Sequence, residues 1–242
     1  MATVAETSPV IKILVVGDAG VGKTSIIQRY THNTFSSTYQ PTEGIDFFVK
    51  EIALESTTRG RDAVNTICLQ LWDIADQNRS QEASKMYFKG ALGAFIVYDI
   101  SRPQTFDSAA KWKEVLDSSL TLPNGNKVPV VLLGNKMDLE VATADVSYID
   151  KFVRKHGFVA WSDTSAKDES NADFEWSVAC LIKKIIHDGQ LLGAGMRRSA
   201  LSYSEKLMGA AIGRRGPQAG TERFRLVVDT SEDTVGSWCC NW

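Results

Sequence analysis

Short runs of apolar residues alternate with segments of helical periodicity along most of this chain, and this alternation limits the folds it can adopt. The strand-length runs are Ile11–Val16, Ile45–Leu54, Ile67–Ile74, Ala94–Ile100, Val128–Leu133 and Phe158–Trp161. The helix-period segments are Thr24–Tyr30, Phe106–Leu116, Tyr148–His156 and Phe174–His187. Several runs lack alternating polar residues, which is typical of a sheet covered on both faces. The sequence therefore predicts a doubly wound α/β domain.

The chain is predicted to contain one folded domain between two irregular ends. Its 242 residues allow one sizeable core with a tail. The alternation extends over residues 11–187, whereas residues 188–242 are rich in Gly, Ser and Arg and predict a disordered tail. Residues 1–10 predict a flexible N-terminus. Within the domain, the polar stretch Glu55–Asn65 predicts an unusually long hairpin loop.

Composition excludes several classes of protein. The net charge of −2 does not indicate a nucleic-acid partner. No apolar run approaches the roughly 20 residues of a membrane-spanning helix. Residues 1–10 lack the pattern of a signal peptide, so we expect a cytosolic protein with reduced thiols. Cys68 and Cys180 lie in apolar segments and are expected to be buried packing residues.

The segment Gly17–Thr24 reads GDAGVGKT and lies between the first predicted strand and the first predicted helix. This context distinguishes a phosphate-binding loop from a chance glycine-rich turn. Backbone N–H groups and the helix N-terminus would surround phosphates, Lys23 would neutralise them, and the Thr24 hydroxyl suits Mg²⁺. The residues predicted to hold the phosphates are Gly17, Ala19, Gly20, Val21, Gly22, Lys23, Thr24 and Ser25.

Two further loops predict that the bound base is guanine. Asn135–Asp138 (NKMD) follows a buried strand, where the Asp138 carboxylate can accept from the N1–H and the amine of guanine. Adenine has no donor at N1, so this arrangement disfavours it. Thr164–Lys167 (TSAK) would offer backbone N–H groups to the guanine carbonyl. Either tetrapeptide alone can be an ordinary loop, but their order favours guanine over a small-molecule kinase. The predicted contacts are Asn135, Lys136, Asp138, Ser165, Ala166 and Lys167.

From Ile11 to about Ile186 the chain resembles the Ras superfamily of small GTPases, and within it the Rab family. The Rab-like segments are Glu43–Phe47, Leu71–Asp73, Tyr87–Ala91 and Val97–Ser101. Lys111–Lys113 and Leu122–Gly125 are similar to the Rab subgroup that serves lysosome-related organelles. The resemblance implies a small G-protein fold of the P-loop NTPase type. Such a fold has a mostly parallel six-stranded sheet, one antiparallel edge strand and about five helices.

The resemblance also implies a switch that binds GTP or GDP with Mg²⁺ and hydrolyses GTP slowly. Phe35 would stack against guanine, and Thr42 would bind Mg²⁺ and touch the γ-phosphate. Asp73 would hold the metal through water, so that Thr24, Thr42 and Asp73 form the predicted metal site. Gln77 would orient the attacking water, although a solvent-facing loop glutamine is the alternative. The predicted catalytic residues are Gln77, Lys23 and Thr42.

The last four residues, Cys239–Trp242, resemble the Rab site for two geranylgeranyl groups. They do not fit a C-a-a-X prenylation motif, and the remaining alternative is a pair of inert thiols at Cys239 and Cys240. The resemblance implies a monomer that meets an exchange factor, a GTPase-activating protein, effectors, a prenylation escort and a GDP-dissociation inhibitor. The expected location is the cytoplasmic face of an endosome, a lysosome-related organelle, the Golgi or a mitochondrion, with a cytosolic pool.

Four residues depart from the family pattern. Asp76 replaces a glycine whose backbone N–H meets the γ-phosphate, Glu43 replaces an apolar residue, and Ser80 and Asn78 replace an aromatic and an acidic residue. Two hypotheses therefore remain. The chain is either an active switch or a scaffold that binds guanine nucleotide without hydrolysing it.

Overall fold

The computed structural model of the chain describes residues 8–58, 61–76, 86–139, 145–188 and 224–226. Side chains are described for these residues except at 53–65 and 224–226. The predictions for Gln77, Asn78, Ser80, Cys239 and Cys240 lie outside the described residues, as do those for residues 1–7 and for most of the tail.

Apart from the hairpin of β2 and β3, strands and helices alternate along the described residues as the sequence predicts. The strands are β1 Val10–Val16, β2 Ile45–Thr58, β3 Arg61–Ile74, β4 Gly93–Asp99, β5 Val130–Asn135, β6 Ala160–Asp163 and β7 Phe224–Leu226. The helices are α1 Lys23–His32, α2 Pro103–Ser119, α3 Val146–His156 and α4 Ala172–Asp188. Residues 86–88 form a fifth helical segment.

One sheet contains all the described strands, in the order β2-β3-β1-β4-β5-β6-β7. Strands β3, β1, β4, β5 and β6 run parallel, and β2 is antiparallel to β3 at one edge. This arrangement confirms the predicted small G-protein fold. At the other edge the structure adds β7, which pairs antiparallel with β6. Its three residues are too few for periodicity to reveal a strand.

The predicted long loop at Glu55–Asn65 is wrong. Strands β2 and β3 pair residue by residue as far as Thr58 with Arg61. Antiparallel pairing depends on backbone hydrogen bonds, which polar residues make as readily as apolar ones. The stretch contains few apolar residues, so its composition concealed the paired strands.

Two hydrophobic cores lie on opposite faces of the sheet. Along β1, Ile13 and Val15 face the core that packs against α1 and α4. Leu14 and Val16 face the core that packs against α2 and α3. Every residue of β4 and β5 is buried. Helices therefore cover both faces, which explains the continuous apolar runs within β4 and β5.

This topology brings the predicted motifs to one edge of the sheet. Strand β1 lies between β3 and β4 in the sheet. The loop that follows β1 therefore begins at the topological switch point, which is where ligands bind in α/β sheets. The loops after β1, β5 and β6 lie at the same edge because these strands are parallel. None of the described helices is long and apolar enough to cross a membrane.

The central strand β5 gives a test of the core. Leu132 is fully buried there, whereas the side chain of Leu139 is 41% exposed. We expect Leu132→Ala to lower the free energy of unfolding by about 2–5 kcal/mol, because it removes apolar contacts and leaves a cavity. Leu139→Ala, the matched control, should cost less than about 1 kcal/mol. Urea unfolding measures both, and equal losses would contradict the proposed packing.

Candidate nucleotide-binding site

A cavity of about 700 Å³ lies at this edge of the sheet. It is lined by the loop after β1, by residues 35–42 and by the loops that follow β3, β5 and β6. The predicted nucleotide residues on its surface are Ala19, Gly20, Gly22, Lys23, Thr24, Ser25, Phe35, Thr42, Asp76, Asn135, Lys136, Asp138, Ala166 and Lys167. Four others, Gly17, Val21, Asp73 and Ser165, do not line it.

Close packing explains the glycines of the phosphate-type loop. Gly17 and Gly22 have φ values of 147° and 97°, which residues other than glycine rarely adopt. A Cβ atom on Gly17 would collide with the carbonyl of Val97, and one on Gly22 would collide with the Asn135 side-chain amide. Helix α1 then begins without a side-chain cap and without an acidic residue in its first turn. Its positive end is therefore suited to an anion.

Lys23 is held inside the loop. Its side chain is buried, and Nζ donates to the carbonyls of Gly17 at 2.9 Å and Asp18 at 3.1 Å. Burial lowers the pKa of Lys23, and the carboxylates of Asp73, Asp76 and Asp18 oppose this shift only in part. An ammonium group has three donors and two of them bind described residues, so a third is left for a ligand within the part of the chain that the structure describes. Lys23 therefore places a partly desolvated amine on the wall of the cavity.

A second cluster, formed by Thr24, Thr42 and Asp73, contains the oxygen ligands that Mg²⁺ prefers. The hydroxyls of Thr24 and Thr42 lie 2.9 Å apart, and both donate to Asp73 Oδ2. The Asp73 side chain is buried, its other oxygen has no hydrogen-bond partner among the described residues, and burial raises its pKa. A cation would compensate this buried carboxylate. Carboxylate and hydroxyl oxygens fit Mg²⁺, whose remaining ligands are usually water and phosphate.

The buried side chain of Asn135 connects the three loops. Its Nδ2 donates to the Val21 carbonyl at 2.8 Å, and its Oδ1 accepts from the Ala166 N–H at 3.3 Å. The sequence predicts Asn135 as a nucleotide contact. The structure shows that its amide also joins the phosphate-type loop to the loop at Thr164–Lys167.

Ser165 positions the predicted guanine-reading carboxylate. The Ser165 hydroxyl donates to Asp138 Oδ1 at 2.6 Å, and Lys167 Nζ lies 3.9 Å from Asp138 Oδ2. The sequence assigned Ser165 a backbone contact with the base and did not reveal this side-chain bond. The spacing of the two loops along the chain contains no signal for it.

The structure also brings residues to the site that the sequence did not select. Tyr39 and Asp46 line the cavity. Trp112, fully buried in α2, donates from Nε1 to Asp18 Oδ1 at 3.0 Å. Arg102 donates to the carbonyl of Ala19. These residues belong to no nucleotide motif, and only their tertiary contacts identify them.

The expected contact between Asp138 and guanine can be tested by substitution. Asp138→Asn replaces one acceptor with a donor, so it cannot accept from both N1–H and the amine of guanine. We expect GDP affinity to fall by about 100-fold or more. Competition against a fluorescent GDP analogue measures this change. The control is Asp107→Asn, an exposed residue of α2, which should bind GDP as the wild type does. Equal affinities in the two variants would contradict the assignment.

Comparison with known proteins agrees with this geometry. A family model described as Ras family matches residues 12–186. Ras-related protein Rab-32 of Homo sapiens is 46% identical over 180 residues, covering 74% of this chain and 76% of that protein. Ras-related protein Rab-7L1 of Homo sapiens is 40% identical over 177 residues, covering 73% and 83%. Ras-related protein Rab-32A of Dictyostelium discoideum is 45% identical over 165 residues, covering 67% and 72%. The chain therefore belongs to the Ras family and, within it, to the Rab small GTPases, which hydrolyse GTP to GDP and phosphate.

Proposed function

We propose that this Rab GTPase is a membrane-anchored switch that recruits effectors in its GTP form during vesicle or organelle trafficking. The observation that carries the proposal is that one cavity is lined both by the buried Lys23 and by Asp138, whose carboxylate accepts from the Ser165 hydroxyl. This polarity suits the phosphates and the base of one guanine nucleotide.

Phosphoryl transfer depends mainly on positioning and charge stabilisation, so no side chain has to be a strong base. In our proposal Lys23 binds the β- and γ-phosphates and the loop N–H groups fix their orientation. Thr42 contacts the γ-phosphate, and Gln77 orients the attacking water. Mg²⁺, held through Thr24, Thr42 and Asp73, would neutralise the charge of the phosphates. Phe35, with a side chain 39% exposed at the cavity, would cover the guanine base.

Asp76 supports a second candidate function, a scaffold that binds nucleotide without hydrolysing it. Asp76 lines the cavity, where burial lowers the pKa of Lys23 and the negative charge of Asp76 partly opposes that shift. A carboxylate about 5 Å from a γ-phosphate would be repelled by roughly 3 kcal/mol per charge pair at an effective dielectric constant near 20. The positive charges of Lys23 and of a bound Mg²⁺ would oppose this repulsion. We propose that Asp76 weakens binding of GTP relative to GDP.

The test compares wild type with Asp76→Gly and Asp76→Asn. Because Asn removes the charge and keeps the size, both variants should raise the ratio of GTP affinity to GDP affinity, by about tenfold or more. If only Asp76→Gly raises it, bulk and not charge is responsible. Equal ratios in all three proteins would overturn the proposal.

Single-turnover GTP hydrolysis by the same three proteins separates the two candidate functions. An active switch requires measurable hydrolysis in the wild type. The scaffold requires none in the wild type and a gain in Asp76→Gly.

The membrane part of the proposal depends on Cys239 and Cys240. Two geranylgeranyl chains would anchor the protein stably, whereas one chain binds a membrane only marginally. In cells that prenylate Rab proteins, we expect the wild type in the membrane fraction and Cys239→Ser/Cys240→Ser in the cytosol. Each single variant should be divided between the two fractions. Fractionation with Cys68→Ser as a control measures this distribution, and membrane retention of the double variant would contradict the anchor.

A further inference from the structure

Asp99, the last residue of β4, fixes two cations beside the phosphate-type loop. Its side chain is 1% exposed, and Oδ2 accepts from Lys136 Nζ at 2.7 Å and from Arg102 Nε at 2.9 Å. Oδ1 accepts from the Ser101 N–H at 2.9 Å and from its hydroxyl at 2.6 Å. These hydrogen bonds outweigh burial and lower the pKa of Asp99 to about 2. The carboxylate is therefore ionised throughout the physiological pH range.

The side chains of Lys136 and Arg102 also donate hydrogen bonds to the phosphate-type loop. Lys136 Nζ donates to the carbonyl of Gly20 at 2.9 Å, and Arg102 Nη2 donates to the carbonyl of Ala19 at 3.0 Å. Two consecutive carbonyls are thus tied to one buried carboxylate.

Because each peptide is planar, a hydrogen bond to its carbonyl also fixes the direction of the following N–H group. In a trans peptide the C=O and the following N–H point in opposite directions, and none of the described peptides is cis. The hydrogen bond from Arg102 to the Ala19 carbonyl therefore directs the Gly20 N–H away from Arg102. The hydrogen bond from Lys136 to the Gly20 carbonyl likewise directs the Val21 N–H away from Lys136. A cation at the oxygen also polarises the peptide and strengthens its N–H as a donor.

The position of Arg102 at the start of α2 indicates that its side chain serves a tertiary contact and not the helix itself. Arg102 is the N-cap residue of α2 and makes no side-chain cap hydrogen bond. That position favours Ser, Thr, Asp or Asn, which can accept from the first turn, and a positive charge there opposes the helix dipole. A residue that breaks a local rule is expected to serve a contact elsewhere. Here that contact joins Asp99 to Ala19.

We propose that Arg102 is a positioning residue that, together with Asp99, orients the N–H groups of the phosphate-type loop and slows the release of bound guanine nucleotide. The inference rests on the nucleotide site proposed above. Lys136 belongs to the base-reading loop, so the shared carboxylate also couples that loop to the phosphate end of the cavity. A change at Arg102 therefore alters retention of the nucleotide without touching the base.

The test measures the release rate of a fluorescent GDP analogue from the loaded, Mg²⁺-containing protein after addition of excess GDP. Arg102→Gln removes the charge and keeps most of the side-chain length, and we expect release to be about tenfold faster. Arg154→Gln makes the same change on an exposed position of α3 and should release GDP at the wild-type rate. Equal rates for wild type and Arg102→Gln, or equal acceleration in both variants, would overturn the proposal.

Two further measurements separate positioning from a general structural defect. A folding defect lowers the fraction of protein that retains the analogue, which is the amplitude of the signal, whereas loss of positioning raises the rate for the retained fraction. Asp99→Asn should accelerate release at least as much as Arg102→Gln, because it frees both cations. Adding Arg102→Gln to Asp99→Asn should then produce little further change, since the two residues act through one contact. Independent, multiplicative effects would contradict the coupling. A wild-type protein that binds no GDP would refute the proposed site itself.

Discussion

The rest of the site depends on the two hydrogen bonds made by the buried side-chain amide of Asn135. It binds the Val21 carbonyl with its donor and the Ala166 N–H with its acceptor. Three loops that are far apart in sequence therefore share one side chain. Its close contact also explains why Gly22 has no room for a Cβ atom. A polar side chain buried this deeply is stable only when its groups are paired, so the arrangement of the loops is strongly constrained.

Buried charge around the cavity is arranged in two ways. At Asp99 the carboxylate has four donors and is satisfied within the protein. At Asp73 one oxygen lacks a partner among the described residues, and burial raises the pKa of the group. The first arrangement stiffens the protein around a ligand. The second leaves a charge that a cation can compensate, and it lies against Thr24 and Thr42, which line the cavity.

Much of the fold could be predicted from the sequence. Continuous apolar runs such as Val130–Leu133 have this composition because both faces of the sheet are covered. The paired strands at 55–65 could not be predicted this way, because backbone pairing of a polar hairpin leaves no hydrophobic pattern. The motif residues around the cavity were also predictable, since phosphate loops require glycine and lysine at fixed spacing. Their bonds to one another were not, because Ser165 and Asp138 are 27 residues apart.

The sequence by itself determined the fold class, the glycine-rich loop and the two loops expected to read the base. Local spacing is sufficient for these features because each is formed within a single strand-loop unit. Tertiary structure decided that Asp76 lines the cavity, that Ser165 holds Asp138, and that Arg102 reaches the Ala19 carbonyl 83 residues away. Such contacts depend on the register of parallel strands and on side-chain packing across them. No short stretch of sequence contains that information.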